Sequence, residues 1–262
     1  MDRSEGPGRP GPELPPEMGR FLRRGILLYP VAVVGIWALT DLGAWNALFL
    51  ASLLELLPVL AVVQVPLAAD QELDRPSAYV GSAGAVLILG WLSLLLGERS
   101  VGLEAMGLEV VGWKPFLVGA GVGLAGGLGL TGGFHLWQTW TGREESEFLR
   151  KLLPRSAFEK TLFVGVSFSA GLGEELAYRA YAIPVLAGLL GTDWGAAVLS
   201  SGIFGLLHAY QGQIGVVRTG LMGLVLAGVF LVSGSVWPAV AAHVLIDLVG
   251  GLVLGPRLLE DA

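Results

Sequence analysis

Eight long apolar stretches separated by short polar connectors constrain this chain more than anything else in it. They run approximately over 25–39, 44–69, 78–96, 116–139, 162–190, 194–210, 214–232 and 236–254. Segments of this length reach across a bilayer. Hydrocarbon offers backbone N–H and C=O groups no partner, so an apolar spanning segment must satisfy them internally, as a helix. Only 15% of residues are charged and 53% are hydrophobic, whereas soluble domains carry about a quarter charged. The expected fold is therefore all-α, a polytopic bundle of about eight transmembrane helices. The second and fifth stretches are too long for one straight span, and Pro58, Pro66 and Pro184 are the expected kinks or breaks. The first is short and would borrow residues from a flank.

Residues 1–20 are rich in Pro, Gly and charge, a composition that cannot bury a core, and are expected to be a disordered cytoplasmic tail. Residues 21–262 then form a single membrane domain. Arg23-Arg24 before an apolar run resembles a signal sequence, but no small-residue cleavage site follows, so a retained first span is expected. With the N-terminus inside, eight spans put 13 Lys and Arg residues on the inside and only Arg99 and Lys114 outside, with Arg179 inside a span. The positive-inside rule thus favours both termini in the cytoplasm, and a multi-pass protein of a prokaryotic-type plasma membrane is the expected setting. The inside loop from Arg143 to Lys160 alternates charge with Phe148, Leu149, Leu152 and Leu153. It is read either as a short interfacial amphipathic helix or as a polar connector. Gly119, Gly123 and Gly127, and likewise Gly129 and Gly133, repeat at four-residue spacing, the mark of close helix contact.

Several function classes drop out. There is no basic stripe and no nucleic-acid motif, so no nucleic-acid partner is expected. Cysteine is absent, which removes disulfides, thiolate nucleophiles and Cys-ligated metals. Gly121-x-Gly123-x-x-Gly126 spells a dinucleotide fingerprint, but no strand precedes it. No Gly-x-Ser-x-Gly elbow accompanies the serines near 167–169 and 200–201, and the His-Glu-x-x-His zinc signature is missing.

What remains is a set of ionisable groups inside apolar helices. They are Glu174, Glu175 and Arg179, then Phe204 with His208, then His243 with Asp247. A charged side chain at mid-bilayer costs roughly 2.5–3.5 kcal/mol, so such groups mark a functional site by default. On a helix Glu175 and Arg179 are i,i+4 neighbours and can pair. Glu174 lies about 100° away, free for a water or a metal. His243 and Asp247 share a face. Together Glu174, His208, His243 and Asp247 can activate water by general base catalysis or hold a divalent metal such as zinc. His135 has no acidic neighbour at helical spacing and is read as structural. One tension stands: His208 lies about 15 residues, roughly 22 Å, from the outer end of its span, and His243 about seven residues, roughly 10 Å. Tilt or a different start to the last span must close that gap.

The three patterns, Glu174-Glu175-x-x-x-Arg179, Phe204-x-x-x-His208 and His243-x-x-x-Asp247, resemble those of the CAAX-protease and bacteriocin-processing family of intramembrane proteases. Its eukaryotic members cleave prenylated proteins. The resemblance covers about 146–254 and extends to the flanks Ser200-Ser-Gly-Ile-Phe and Ser235-Val-Trp-Pro. It implies an eight-helix endopeptidase that cuts a membrane-associated or lipidated protein or peptide within the bilayer. Glu174 would activate water with help from His208, while His243 and residue 247 would stabilise the oxyanion. Glu175 and Arg179 would support the site. Tyr178 stands where Phe is common, Ala180 where Gly usually follows the Arg, and Asp247 where the eukaryotic enzymes have Asn. An ionised Asp247 cannot donate to an oxyanion, which keeps a metal-ligand or His-orienting role open. Two other readings are an inactive scaffold or bacteriocin-immunity protein of the same fold, and an ion or proton transporter using the same charges as a relay.

Overall fold

The computed structural model describes residues 14–68 and 73–256. In chain order the α-helices are α1 (Pro16–Leu39), α2 (Ala44–Ala51), α3 (Leu57–Ala68), α4 (Arg75–Ser100), α5 (Gly102–Ala105), α6 (Trp113–Thr141), α7 (Glu147–Leu152), α8 (Ala157–Glu175), α9 (Ala182–Leu190), α10 (Asp193–Leu207), α11 (Gly212–Ser233) and α12 (Trp237–Leu248). No strand occurs among the described residues, and the protein is an all-α polytopic membrane protein. Among the described residues, six helical runs are long and apolar enough to cross a membrane. The two remaining apolar stretches fold as α8–α9, which carries the two glutamates and Arg179, and as α10, which has only 15 residues. The first span does borrow residues, from its N-terminal side. α1 begins at Pro16, inside the stretch expected to be disordered, because proline is preorganised for the first helical turn. The rest of that expectation, residues 1–13, lies outside the described residues.

Among the described residues, three wide π turns interrupt the bundle, at Ser52–Leu56, Leu176–Tyr181 and Val249–Leu254. Each closes on an i→i+5 hydrogen bond, from Leu57 N to Ser52 O, from Ala182 N to Ala177 O and from Gly255 N to Gly250 O. Each also precedes a proline: Pro58, Pro184 and Pro256. A proline ring collides with the carbonyl four residues back. Those carbonyls belong to Leu54, Ala180 and Leu252, one in each π turn, so the widened turn gives the ring its room. At Pro58 and Pro184, where kinks or breaks are expected, the helix instead continues through a widened turn. Pro66 sits inside α3 without such a turn.

The core is organised around the middle π turn. Leu176 to Tyr181 are all buried, and Leu50, Leu53, Met106, Phe204, Phe230 and Val236 pack in the same cluster. α4 lies along α8, α10 along α11, and α12 against both α6 and α8. Backbone contact sets the closest of these distances. A Cβ on Gly173 would sit 2.1 Å from Val86 O, and one on Gly123 would sit 2.7 Å from the Ala242 Cβ. Gly119 and Gly127 meet Pro238 and Ile246 in the same way, so the first glycine repeat is a helix contact. Gly129 and Gly133 have nothing within 4 Å. The second repeat is corrected accordingly: its phase points away from α11 and α12.

Two loops fix the ends of the motif helices. At the start of α12, Trp237 Nε1 donates to Leu108 O at 2.8 Å and Ser235 Oγ to Glu109 O at 2.7 Å, while Val236 N donates to Gly107 O at 2.9 Å. At the other end of the bundle the basic loop contains α7. Arg218 on α11 pairs with Glu145, and Ser146 Oγ donates to Tyr210 O at 2.8 Å. Arg75 pairs with Glu159 at 3.0 Å. The loop is thus a docked helix with specific partners.

Candidate active site

Glu174 and Glu175 end α8, and the π turn begins at the next residue. Their neighbours divide them. Glu175 is fully buried, and its Oε1 accepts from Arg179 Nη1 at 2.9 Å and from His243 Nδ1 at 2.7 Å. Arg179 is always charged and is itself buried. It also donates from Nη2 to Gly223 O at 3.1 Å, and its guanidinium lies 4.5 Å over the Phe204 ring. The expected i,i+4 pair is present. The contact to His243, across 68 residues of chain, has no signal in either motif alone. Because the carboxylate facing Arg179 is an acceptor, His243 Nδ1 carries the hydrogen and the Nε2 edge of the ring faces the other way.

On that edge two carboxylates converge. His243 Nε2 is 3.7 Å from Glu174 Oε2 and 3.8 Å from Asp247 Oδ2, just outside hydrogen-bond range. Glu174 Oε2 is buried and has no hydrogen-bond partner. A buried polar atom without a partner needs a water, an ion or a substrate to explain it. Asp247 is the most open of the three, with about a third of its side chain exposed (34%) against 16% for Glu174 and 8% for His243. The site therefore opens on the Asp247 side.

His208 ends α10. Its Nδ1 is 2.9 Å from Phe204 O. A carbonyl can only accept, so Nδ1 donates and Nε2 is left as the acceptor. Phe204, one turn before His208, contacts both imidazoles. Its ring lies 4.8 Å from the His208 ring and 6.1 Å from that of His243, centroid to centroid. One aromatic side chain thus joins the two imidazoles. Tyr178 packs on the same ring at 5.4 Å, and Ser200 Oγ fixes the Tyr178 carbonyl at 2.6 Å.

A metal site is one of the two readings left open by these residues. Among the described residues no group of three or more His, Cys, Asp or Glu is arranged to hold a metal ion. Glu174, His208, His243 and Asp247 line a common region, but no step is derived through a metal. What the arrangement offers is a free carboxylate oxygen, an imidazole edge beside it, and a second imidazole with an open acceptor.

Residues 157–249 match the family model described as type II CAAX prenyl endopeptidase Rce1-like. No curated protein and no solved structure matches the chain. The matched stretch runs from the first residue of α8 to the end of α12 and contains all three motifs. Within a multi-pass membrane protein, residues 157–249 are thus similar to the Rce1-like, type II CAAX prenyl endopeptidase family.

Proposed function

We propose that this chain is an intramembrane endopeptidase that hydrolyses a peptide bond of a membrane-associated or lipidated protein, using water activated by Glu174. The observation that carries the reading is the unpartnered Glu174 Oε2 beside His243 Nε2, with His243 oriented from behind by Glu175 and Arg179. Glu174 takes a proton from water as the water oxygen attacks the scissile carbonyl carbon. The carbonyl oxygen becomes the oxyanion, which accepts from His243 Nε2–H when both ring nitrogens are protonated and from Asp247 when its carboxyl is protonated. Collapse breaks the C–N bond, and Glu174 returns its proton to the leaving nitrogen, giving a carboxylic acid and an amine. His208, with Nε2 open, steadies the attacking water. Contacts at 3.7–3.8 Å are the length expected before substrate arrives, since catalytic hydrogen bonds often tighten only in the complex. Glu175 and Arg179 are positioning residues.

The eight-span topology with both termini cytoplasmic belongs to the same proposal, as does a plasma-membrane location. The charge asymmetry supports it, and so does the Arg218–Glu145 pair, which joins two segments assigned to the inner side.

The test is cleavage of candidate membrane-anchored peptides by purified protein. Glu174→Gln is expected to lower the rate by about 10²–10⁴-fold, and chelator to leave the wild-type rate unchanged. Undiminished cleavage by Glu174→Gln overturns the role of Glu174. A rate abolished by chelator overturns the metal-free route.

A further inference from the structure

His208 sits where its helix gives it least support. It caps α10 with φ −93° and ψ 25°, and the chain leaves it as a short turn, Ala209–Gln211, before Gly212 at φ +76° starts α11. One side of the imidazole is walled by Phe204. On another lies Tyr210, two residues on, with ring centroids 5.7 Å apart and planes at 40°. Tyr210 is tied from three directions. Its carbonyl accepts from Ser146 Oγ at 2.8 Å, its ring packs on Phe148 at 6.1 Å, and its hydroxyl accepts from Gln211 Nε2 at 3.3 Å. Gln211 Oε1 in turn accepts from Arg218 Nη2 at 3.3 Å and Thr219 Oγ1 at 3.2 Å, and Arg218 is paired with Glu145. Two of these ties lead directly to the loop that carries α7, and the third reaches it through Gln211, Arg218 and Glu145.

We propose that Tyr210 is a positioning residue for His208, holding the imidazole between two aromatic walls, and that the α7 loop anchors Tyr210 through Ser146, Phe148 and the Glu145–Arg218–Gln211 chain. The hydroxyl matters less than the ring, because the ring supplies the wall. Loss of the wall gives His208 more orientations without touching substrate binding. The effect therefore falls on the chemical step, where a misplacement of about 1 Å costs up to about a hundredfold.

The chain has only three histidines, His135, His208 and His243, so isotope-labelled histidine reports on each. In full-length protein in micelles, Tyr210→Leu is expected to shift or broaden the His208 imidazole signals and leave those of His135 unchanged. Tyr210→Phe is expected to match the wild type. Ser146→Ala and Phe148→Ala loosen the tether without altering the Tyr210 ring, and are expected to move His208 the same way by less. They serve if Tyr210→Leu fails to fold. His208 signals unmoved in Tyr210→Leu, or in both tether variants, overturn the proposal. This measurement does not depend on the endopeptidase reading. A second one rests on it: kcat is expected to fall about tenfold in Tyr210→Leu with KM unchanged and to recover in Tyr210→Phe. Equal losses in the Phe and Leu variants overturn the positioning role. If wild type and Glu174→Gln cleave equally, the endopeptidase reading falls and the spectroscopic result still decides Tyr210.

Discussion

In α1 only Gly25 is buried, and Leu27, Leu28, Val31 and Trp37 face outward, whereas all six residues of Leu176–Tyr181 are buried. The two regions are similarly apolar on either side of their charges, yet they solve opposite problems. α1 meets hydrocarbon, where an apolar surface has nothing to gain by packing, and it touches the bundle mainly through α2 and α3. The Leu176–Tyr181 turn lies between Glu175 and the rest of the core and must satisfy a buried carboxylate, a guanidinium and an imidazole together. Tight enclosure follows from the charges, since each one left alone would cost several kcal/mol.

The largest expected effect breaks that enclosure. Arg179→Leu leaves Glu175 with a buried charge and only His243 as partner, and frees the Phe204 face that Arg179 covers. Removing one member of a buried pair costs about 3–5 kcal/mol, so the variant should unfold at much lower denaturant and lose His243 alignment. Leu27→Ala, on the exposed face of α1, should change stability by less than about 0.5 kcal/mol. Equal losses would erase the distinction between the regions.

Glycines sharpen the comparison by one step. Gly173→Ala drives a Cβ to within 2.1 Å of Val86 O, a backbone atom that cannot rotate away. Separating α4 from α8 should cost about 1–3 kcal/mol or more. Gly129→Ala meets nothing within 4 Å and should be neutral, or stabilising by up to about 1 kcal/mol through helix propensity. Thermal unfolding in one detergent compares the two. A destabilised Gly129→Ala would show that α6 has a second packed face.

The reasons some of this was legible in sequence and some was not are physical. Span-length apolar runs announce helices, and proline announces a distortion, because both act locally. Glu175 and Arg179 were readable as a pair, since they are four residues apart on one helix. The phase of Gly119, Gly123 and Gly127 was readable as a contact, yet the same spacing at Gly129 and Gly133 leads nowhere. Spacing fixes which residues share a face, and only the other helices decide whether that face is covered. The Glu175–His243 hydrogen bond was not readable at all, because it depends on how α12 lies on α8. Neither was the contact of Phe204 with both imidazoles. Trp237 and Ser235, which anchor α12 to 107–109, carried a weak signal as polar groups at a span boundary.

Asp247 tests a smaller difference within the enclosed region, between the fully buried Glu175 and the partly open Asp247. Under the proposed oxyanion role, Asp247→Asn supplies an N–H donor at every pH and should hold or raise the cleavage rate, within about threefold of wild type. A collapse would make the negative charge itself the working feature, as a support for His243.

The smallest expected effect lies at the docked loop, outside the spans. Glu159 closes a capping box at the start of α8: its Oε2 accepts from Arg155 N at 2.7 Å and Ser156 N at 3.0 Å, while Ser156 Oγ accepts from Glu159 N at 3.1 Å. Those backbone N–H groups, with Arg75 beside them, hold the Glu159 carboxyl below the ordinary glutamate range. The folded protein then binds fewer protons here than the unfolded chain. The stabilisation is complete at neutral pH and is lost as pH falls through the folded-state value. Glu147 is also held low, by its hydrogen bond to Lys151, but its side chain is 80% exposed and water screens the pair. Glu159→Gln should therefore lower the unfolding temperature at neutral pH, with its curve meeting the wild type at acid pH. Glu147→Gln should track the wild type throughout. A Glu147 variant as pH-sensitive as the Glu159 one would mean that α7 is held by its own surface charges and not by the cap and Arg75.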